Sequence, residues 1–418
     1  MKDPETVRKE FTDLCTACGF CAAMCPPFAH RSVPDSDHEI QSKIRGYLDG
    51  DPSTEAVLER SRLCNECWKC MTETCPQGLN PMRTNQLLRG SLHEQGVDPR
   101  PFVPPSDPQS FERIAAALLT TEEELERITT PVVKGSGRNL FFAGCNIHYQ
   151  PDLLLTSLDV IDLLLEDWTF LPGLELCCGS NHDSAGRLRD GSEALVSLTR
   201  TMLEKDYERI VVWCSTCAVR LKHWGFERPV ITLAQLVADE LKRQRPPAET
   251  LHSGVTLQEP CKDAYMGMDT QAPRTVLGLL SGEPVREMAR HGLDTVCCGW
   301  ALRQHRPAAW EEELRERVGE ARAAGAKTMV TVCHGCQWIM DRPAGDDGVD
   351  VVNYIRLVGE SLGISHPERF RALRKTESVD AALESIRGVM GDRYDQLPFE
   401  GERIRETVRI LMGAFYGT

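Results

Sequence analysis

Basic residues are scarce: 48 Lys and Arg stand against 62 Asp and Glu in 418 residues, a formal net charge of -14. No basic stripe is present that could displace counterions from phosphates, which argues against a nucleic-acid partner. Long apolar runs are missing too, and nothing approaches the ~20 consecutive residues that span a bilayer. Residues 1–10 are charged and lack the apolar core of a secretory signal, and no twin-arginine pair precedes one. The expected location is therefore the cytoplasm. A nucleotide-binding fingerprint is absent as well: Gly135, Ser136 and Gly137 stand without the rest of the pattern, so flavin or nicotinamide chemistry would belong to a partner. The length suits two or three domains with ample apolar content for their cores.

What the chain has in quantity is cysteine, 18 residues. In a reducing compartment a disulfide framework is excluded, which leaves metal sites or redox thiols. Ten of these cysteines form two sets of five. The first is Cys145, the adjacent pair Cys177 and Cys178, then Cys214 and Cys217; the second is Cys261, the pair Cys297 and Cys298, then Cys333 and Cys336. Corresponding cysteines lie 116 to 120 positions apart, the mark of a duplicated module. Each adjacent pair is followed by a glycine, Gly179 or Gly299. Neighbouring side chains on a strand point to opposite faces, so two adjacent thiolates reach one centre only where the backbone leaves strand geometry, which glycine permits.

The remaining eight cysteines precede the duplication. Cys15, Cys18, Cys21 and Cys25, followed by Pro26, form the C-x2-C-x2-C-x3-C-P run of bacterial ferredoxins. In that pattern three cysteines hold one cluster and the fourth reaches a second, so a partner motif is expected. It is supplied by Cys64, Cys67, Cys70 and Cys75, followed by Pro76. By the ferredoxin pattern Cys15, Cys18, Cys21 and Cys75 hold one 4Fe-4S cluster, and Cys64, Cys67, Cys70 and Cys25 the other. Residues 71–74 put four residues between Cys70 and Cys75 where three are usual. Two zinc knuckles fit the ligand count but not the proline-terminated triplets.

Periodicity divides the chain into a cluster domain over 1–98, a linker and bridging helix over 99–138, modules over 139–245 and 246–366, and a helical tail over 367–418. Five prolines between Pro99 and Pro108 mark the first boundary. Helices are expected at 5–14, 39–48, 54–61, 81–94, 111–128, 151–166, 192–205, 310–324 and 349–362. Strands are expected at 140–143, 174–176 and 210–213, and again at 255–257, 294–296 and 329–332. Each of these strands leads into a cysteine group. Strands alternating with helices indicate a parallel sheet, and sites in such sheets form at the carboxyl ends of the strands. The fold class is thus α/β, with duplicated parallel-sheet modules behind a mainly helical two-cluster domain. A connection is expected over 243–249, around Pro246 and Pro247. The charged tail reads either as a solvated cap or as an arm that docks a partner.

Five thiolates exceed the four that close a zinc site or hold an ordinary cubane. A larger or distorted centre, or one idle thiol, remains open on the residues alone. His148, His182 and His334 lie beside cysteines and could tune a cluster or donate a proton. Lys262 and Arg274 could attract an anionic substrate.

The ten-cysteine constellation resembles the CCG domains of heterodisulfide reductase, and its placement behind a two-cluster ferredoxin domain is similar to the fused catalytic subunit of the membrane-bound form. The resemblance spans residues 14–342 and takes in all eighteen cysteines. It implies two cubane 4Fe-4S clusters in the ferredoxin domain and a noncubane 4Fe-4S cluster on each set of five. In that family the two noncubane clusters face each other across a disulfide, small-molecule or protein, bond to its sulfurs and cleave it with electrons delivered singly. The expected partners are a flavoprotein, a membrane cytochrome b, or both, which would make the chain peripheral on the inner face of a membrane. The same architecture occurs in iron-sulfur subunits of glycolate oxidase and anaerobic glycerol-3-phosphate dehydrogenase systems, where the subunit relays electrons toward quinone without a substrate of its own.

Overall fold

The computed structural model describes residues 3–72, 75–244, 253–346 and 348–413. Its strands are short and buried, as β-branched and aromatic runs flanked by glycine and cysteine dictate. In the first module β1 (Val132–Lys134), β2 (Asn139–Phe142), β3 (Trp168–Leu171), β4 (Arg209–Val212) and β5 (Val230–Thr232) form one sheet in the order β1-β3-β2-β4-β5. Only β1 runs antiparallel, on the edge of β3. Phe142, the last residue of β2, pairs with Leu171 and Val212, so three parallel strands end level. In the second module β6 (Val255–Gln258), β7 (Thr328–Thr331) and β8 (Asp350–Asn353) form a parallel three-stranded sheet. The α/β class and the helical first domain are as expected.

Four local expectations need correction. Residues 174–176 are not a strand: β3 ends at Leu171, and Pro172 and Gly173 turn the chain away. Gly173 has φ +100°, and a Cβ there would lie 2.8 Å from the Gly144 backbone, so the loop passes where no side chain fits. Residues 294–296 are not a strand either. Their carbonyls are satisfied by side chains, Thr295 O by the Tyr265 hydroxyl and Val296 O by Gln258 Nε2 at 2.9 Å, which leaves no ladder to form. The helix expected over 349–362 is β8 followed by a helix Tyr354–Ser361, capped where the Asn353 side chain accepts from Ile355 N. The helix expected over 111–128 is two, Phe111–Leu118 and Glu122–Thr129, because Thr121 and Glu124 form a capping box that starts the second. The expected connection around Pro246 lies outside the described residues.

The modules clasp each other through helices. Pro151–Leu164 of the first packs on Tyr354–Ser361 of the second, and Leu233–Gln244 on Gln271–Ser281. Leu154, Ile161, Leu236, Val276, Ile355 and Val358, all fully buried, belong to this one shared core. Each removes about 1.5–3 kcal/mol worth of apolar surface from water, so the modules are held face to face by their largest apolar surface.

The helical domain leans on both modules. Its core of Phe11, Phe28, Ile40 and Leu88 continues into Met288, Leu302, Trp310 and Met340 of the second module. Its helix Pro81–Glu94 lies against the first module, where Gly90 admits Leu188 and a Cβ would meet that side chain at 3.1 Å. This helix buries charge as well: Arg89 pairs with Glu66 at 2.8 Å, and Arg83 approaches Asp183, which also binds Arg220 at 2.5 Å. The described part of the tail packs Phe370, Leu383, Ile404 and Val408 against Ile114, Leu118, Tyr149 and Trp338. It covers the bridging helix. Among the described residues no helix is long and apolar enough to cross a membrane.

Candidate metal centres

The chain carries the first eight cysteines on tight loops whose backbone is left-handed at non-glycine residues. Ala17 has φ +54°, Glu66 +50° and Trp68 +72°, each lying between two motif cysteines. Such residues are strained, and strain of this kind persists where a site needs it. Here it wraps the chain around a sulfur, with Ala17 N–H donating to Cys15 Sγ at 3.4 Å. Cys15, Cys18, Cys21 and Cys75 line one cavity together with Cys70, beside Phe11, Gln41 and Pro76. Gln41 spans two of these sulfurs: its carbonyl accepts from Cys21 at 3.2 Å and its amide donates to Cys15 at 3.7 Å. Cys25, Cys64, Cys67 and Cys70 form the second group, each within electrostatic reach of others in it.

These sites are suited to a cationic guest. Burial pushes the Cys21 thiol up to about 11 and raises those of Cys64, Cys67 and Cys70. Arg60, 1% exposed, is set among Cys25, Cys64, Cys21 and Cys70, and its Nε and Nη1 have no hydrogen-bond partner among the described residues. A buried guanidinium with idle donors among thiols fits sulfurs that carry negative charge, as ligands of an iron-sulfur cluster do.

The ten later cysteines gather into two strings of the same order. Cys145 and Cys177 lie 4.0 Å apart, Cys178 hydrogen-bonds Cys177 and Cys217, and Cys217 hydrogen-bonds Cys214. In the second module Cys261 and Cys297 lie 3.8 Å apart, Cys298 joins Cys297 to Cys336, and Cys336 hydrogen-bonds Cys333. Among the described residues no three candidate ligands converge on a point as a single ion requires. Two strings of five sulfurs suit a multi-iron cluster better than zinc. Gly179 and Gly299 are left-handed, at φ +81° and +82°, and Gly179 N–H donates to Cys177 Sγ at 3.2 Å. The turn after each pair thus brings both thiols to one side.

A pseudo-two-fold relation sets the strings against each other. After Cys261, Lys262 Nζ donates to Thr216 Oγ1 at 2.9 Å, and Asp263 accepts from Ser215 Oγ at 2.7 Å, clamping the loop between Cys214 and Cys217. After Cys145, the corresponding segment ends at Gln150, whose Nε2 donates to His334 O at 3.0 Å between Cys333 and Cys336. Cys214 lies within electrostatic reach of Cys333 across the seam. Hydrogen bonds from Cys217 hold the Cys214 thiol down to about 7, and those from Cys336 lower Cys333. Lys262 lies within electrostatic reach of Glu66, of Cys261, and of Cys214 and Cys178 in the first module. Cys67 of the helical domain faces Cys297 and Cys261, so the second ferredoxin-type group adjoins the second string.

The other candidates fare differently. His148 is buried and neutral, pushed down to about 4 by burial, with both ring nitrogens on backbone carbonyls of Cys145 and Ile128. His334 is pushed down to about 3 by burial and accepts from Trp213. His182 packs edge-on against Phe102 with ring centroids 4.7 Å apart, and burial lowers it. Burial thus favours the neutral form of all three. Arg274 is engaged by Glu259 and by both oxygens of Glu287, which leaves Lys262 as the cation between the strings. Arg60, Glu66, Tyr149 and Trp213 escaped sequence reasoning. Arg60 alone left a trace: it falls on the same helical face as Ala56 and Val57, where a solvated residue would not be placed.

Comparison with known proteins agrees. The family described as cysteine-rich domain, CCG, matches residues 139–222 and again 255–341, and that described as 4Fe-4S dicluster domain matches 14–80. A dihydromethanophenazine:CoB–CoM heterodisulfide reductase subunit from Methanosarcina mazei is 26% identical over 395 residues, covering 84% of this chain and 94% of its own length. Its counterpart from Methanosarcina acetivorans is 25% identical over 393 residues with the same coverage. Cobalamin reductase PduS of Salmonella typhimurium is 28% identical over 95 residues, 23% of this chain and 20% of its own. With a dicluster domain followed by two cysteine-rich domains and similarity along most of its length, this chain is homologous to these heterodisulfide reductase subunits.

Proposed function

We propose that the chain is the iron-sulfur subunit of an electron-transfer complex that reduces a disulfide, or forms one in the reverse direction, between its two sets of five cysteines. In this reading residues 1–98 are the relay domain, 139–245 and 246–366 the CCG domains, with a bridging segment at 99–138 and a helical cap at 367–418. Cys15, Cys18, Cys21 and Cys75 hold one cubane 4Fe-4S cluster, and Cys25, Cys64, Cys67 and Cys70 the other. Cys145, Cys177, Cys178, Cys214 and Cys217 hold one noncubane cluster; Cys261, Cys297, Cys298, Cys333 and Cys336 hold its counterpart. When bound, such clusters supply single electrons and iron at which sulfur can be held.

The observation that carries the reading is that the two cysteine strings meet at the seam between modules, where Lys262 Nζ donates to Thr216 Oγ1 and Gln150 Nε2 to His334 O. A disulfide RSSR′ takes up two electrons and two protons and leaves two thiols, so a site that handles each half separately suits it. The chain's own residues do the positioning. Lys262, tethered to Thr216, places one positive charge where thiolate character develops on either half. Trp213 and His334 fix the seam, and Tyr149 packs on His334 and Trp338 to close it from water. Cys67 beside Cys297 brings the relay to the second set first. Electrons enter from a flavoprotein or a membrane cytochrome b subunit, because the sequence carries no nucleotide-binding fingerprint of its own, and the protein works on the cytoplasmic face.

The test uses the full chain purified without oxygen and electrons from reduced methyl viologen, with bis(2-hydroxyethyl) disulfide as acceptor. Disulfide turnover that is lost in Cys178→Ser and in Cys298→Ser, with the ferredoxin-type signals preserved, supports the reading. No disulfide turnover in the wild type, with electron transfer to a quinone analogue lost in those variants, makes the chain a relay and overturns it. Iron near sixteen per chain is expected, against about eight with bound zinc if the modules were zinc scaffolds.

A further inference from the structure

A cationic side chain that is buried normally meets a carboxylate, since an uncompensated charge is costly away from water. Arg60, in the last turn of the helix Glu55–Arg62, meets none among the described residues. The neighbouring carboxylates are taken: Glu59 accepts from Ser32 N, Val33 N and Arg306, and Glu66 pairs with Arg89. Arg60 makes one hydrogen bond, from Nη2 to Cys21 O at 3.3 Å, and its guanidinium lies over the Phe28 ring, 5.0 Å from the centroid. Nε and Nη1 are buried and unpartnered. The groups whose charge acts on it are Cys25, Cys64, Cys21 and Cys70.

Those four sulfurs divide unequally. Cys25, Cys64 and Cys70 belong to the second ferredoxin-type group, and Cys21 to the first. We infer that Arg60 is a positioning residue for electrons, a fixed charge that raises the reduction potentials of both relay centres and raises the second more than the first. The inference rests on the cluster assignment proposed above. Reduction adds one negative charge to a centre, and a cation fixed in a medium of low dielectric stabilises the reduced form. The idle Nε–H and Nη1–H donors stabilise sulfur in the same sense. Three of the four sulfurs lie on the group that adjoins Cys297, so the added electron is drawn away from the exposed Cys18 side and toward the modules. The charge also offsets repulsion between two anionic centres, which would otherwise make reduction of one oppose reduction of the other.

The experiment is a potentiometric titration of the full chain, followed by low-temperature electron paramagnetic resonance, on wild type, Arg60→Met and Arg60→Lys. Both ferredoxin-type signals must first be present in the wild type; their absence there sinks the cluster assignment itself. With them present, Arg60→Met is expected to move both midpoint potentials negative, the second centre further, and Arg60→Lys to recover much of the shift. If Arg60→Met fails to retain iron while Arg60→Lys retains it at near-native potentials, the charge role stands. Unchanged potentials in Arg60→Met overturn it. Loss of both centres in both variants also overturns it, since the guanidinium shape would then be serving assembly alone.

Discussion

The indole N–H of Trp213 donates to Nδ1 of His334 at 3.0 Å, across the seam between the two modules. Trp213 immediately precedes Cys214, and His334 immediately follows Cys333. One hydrogen bond therefore ties together the segments that carry Cys214 and Cys333. It leaves the imidazole neutral with its proton on Nε2, which burial favours.

Removing that donor tests the tie. Trp213→Phe keeps a ring against Tyr354, which stacks on Trp213 at 6.2 Å, but strands His334 Nδ1. A buried acceptor left alone costs about 1–3 kcal/mol. We expect a lower midpoint of thermal unfolding in the anaerobic protein, with the relay signals unchanged.

The two glycines after the adjacent cysteines predict unequal damage. A Cβ at Gly179 would lie 2.0 Å from the Gly191 carbonyl oxygen, which is backbone; at Gly299 it would meet the Trp310 ring less closely, at 2.7 Å from Cδ1. Gly179→Ala is expected to lose about four irons per chain, one cluster's worth, and Gly299→Ala to retain most of them. Iron and sulfide analysis reads the difference.

Lys262 should sort substrates by charge. Lys262→Met is expected to raise KM for the dianion of dithiodiglycolate roughly tenfold, about 1.4 kcal/mol, and to leave that for neutral bis(2-hydroxyethyl) disulfide within about twofold. Equal losses on both would make Lys262 a clamp for the Thr216 loop only.

Glu112 gives a pH signature. Burial raises its carboxyl from 4.5 to about 7, against its own backbone N–H and nearby Arg113. The folded protein then keeps a proton that the unfolded chain has released, so this group's contribution is full below pH 4.5 and is lost as pH rises through 7. The loss amounts to about 3 kcal/mol. Glu112→Gln should match the wild type near pH 4.5 and unfold at a higher temperature at pH 8, as calorimetry at several pH values would register. Negative charge at Cys145, which already acts on Glu112, strengthens the effect when a cluster is bound.

Legibility followed the range of the forces involved. The eight ferredoxin-type cysteines were legible as two motifs because the ligand pattern is local, and Cys15, Cys18, Cys21, Cys70 and Cys75 line one cavity. Helices such as Pro81–Glu94 were legible from a proline start and apolar period. The strand expected before Cys297 failed because Gln258 and Tyr265, distant in sequence, take the carbonyls a ladder would have used. Arg274 looked available beside Cys261 and proved to be held by Glu259 and Glu287.

Spacing alone determined that this chain carries two ferredoxin-type motifs and a duplicated five-cysteine module, since ligand counts and loop lengths are written along the backbone. Only the tertiary structure decided that the two copies meet through Lys262 on Thr216 and Gln150 on His334, and that Arg60 lies among four cysteines with no carboxylate partner among the described residues. Those relations depend on which buried surfaces of distant segments fit together. Packing of Pro151–Leu164 on Tyr354–Ser361 is a contest among many apolar faces of similar hydrophobicity, and shape in three dimensions settles it.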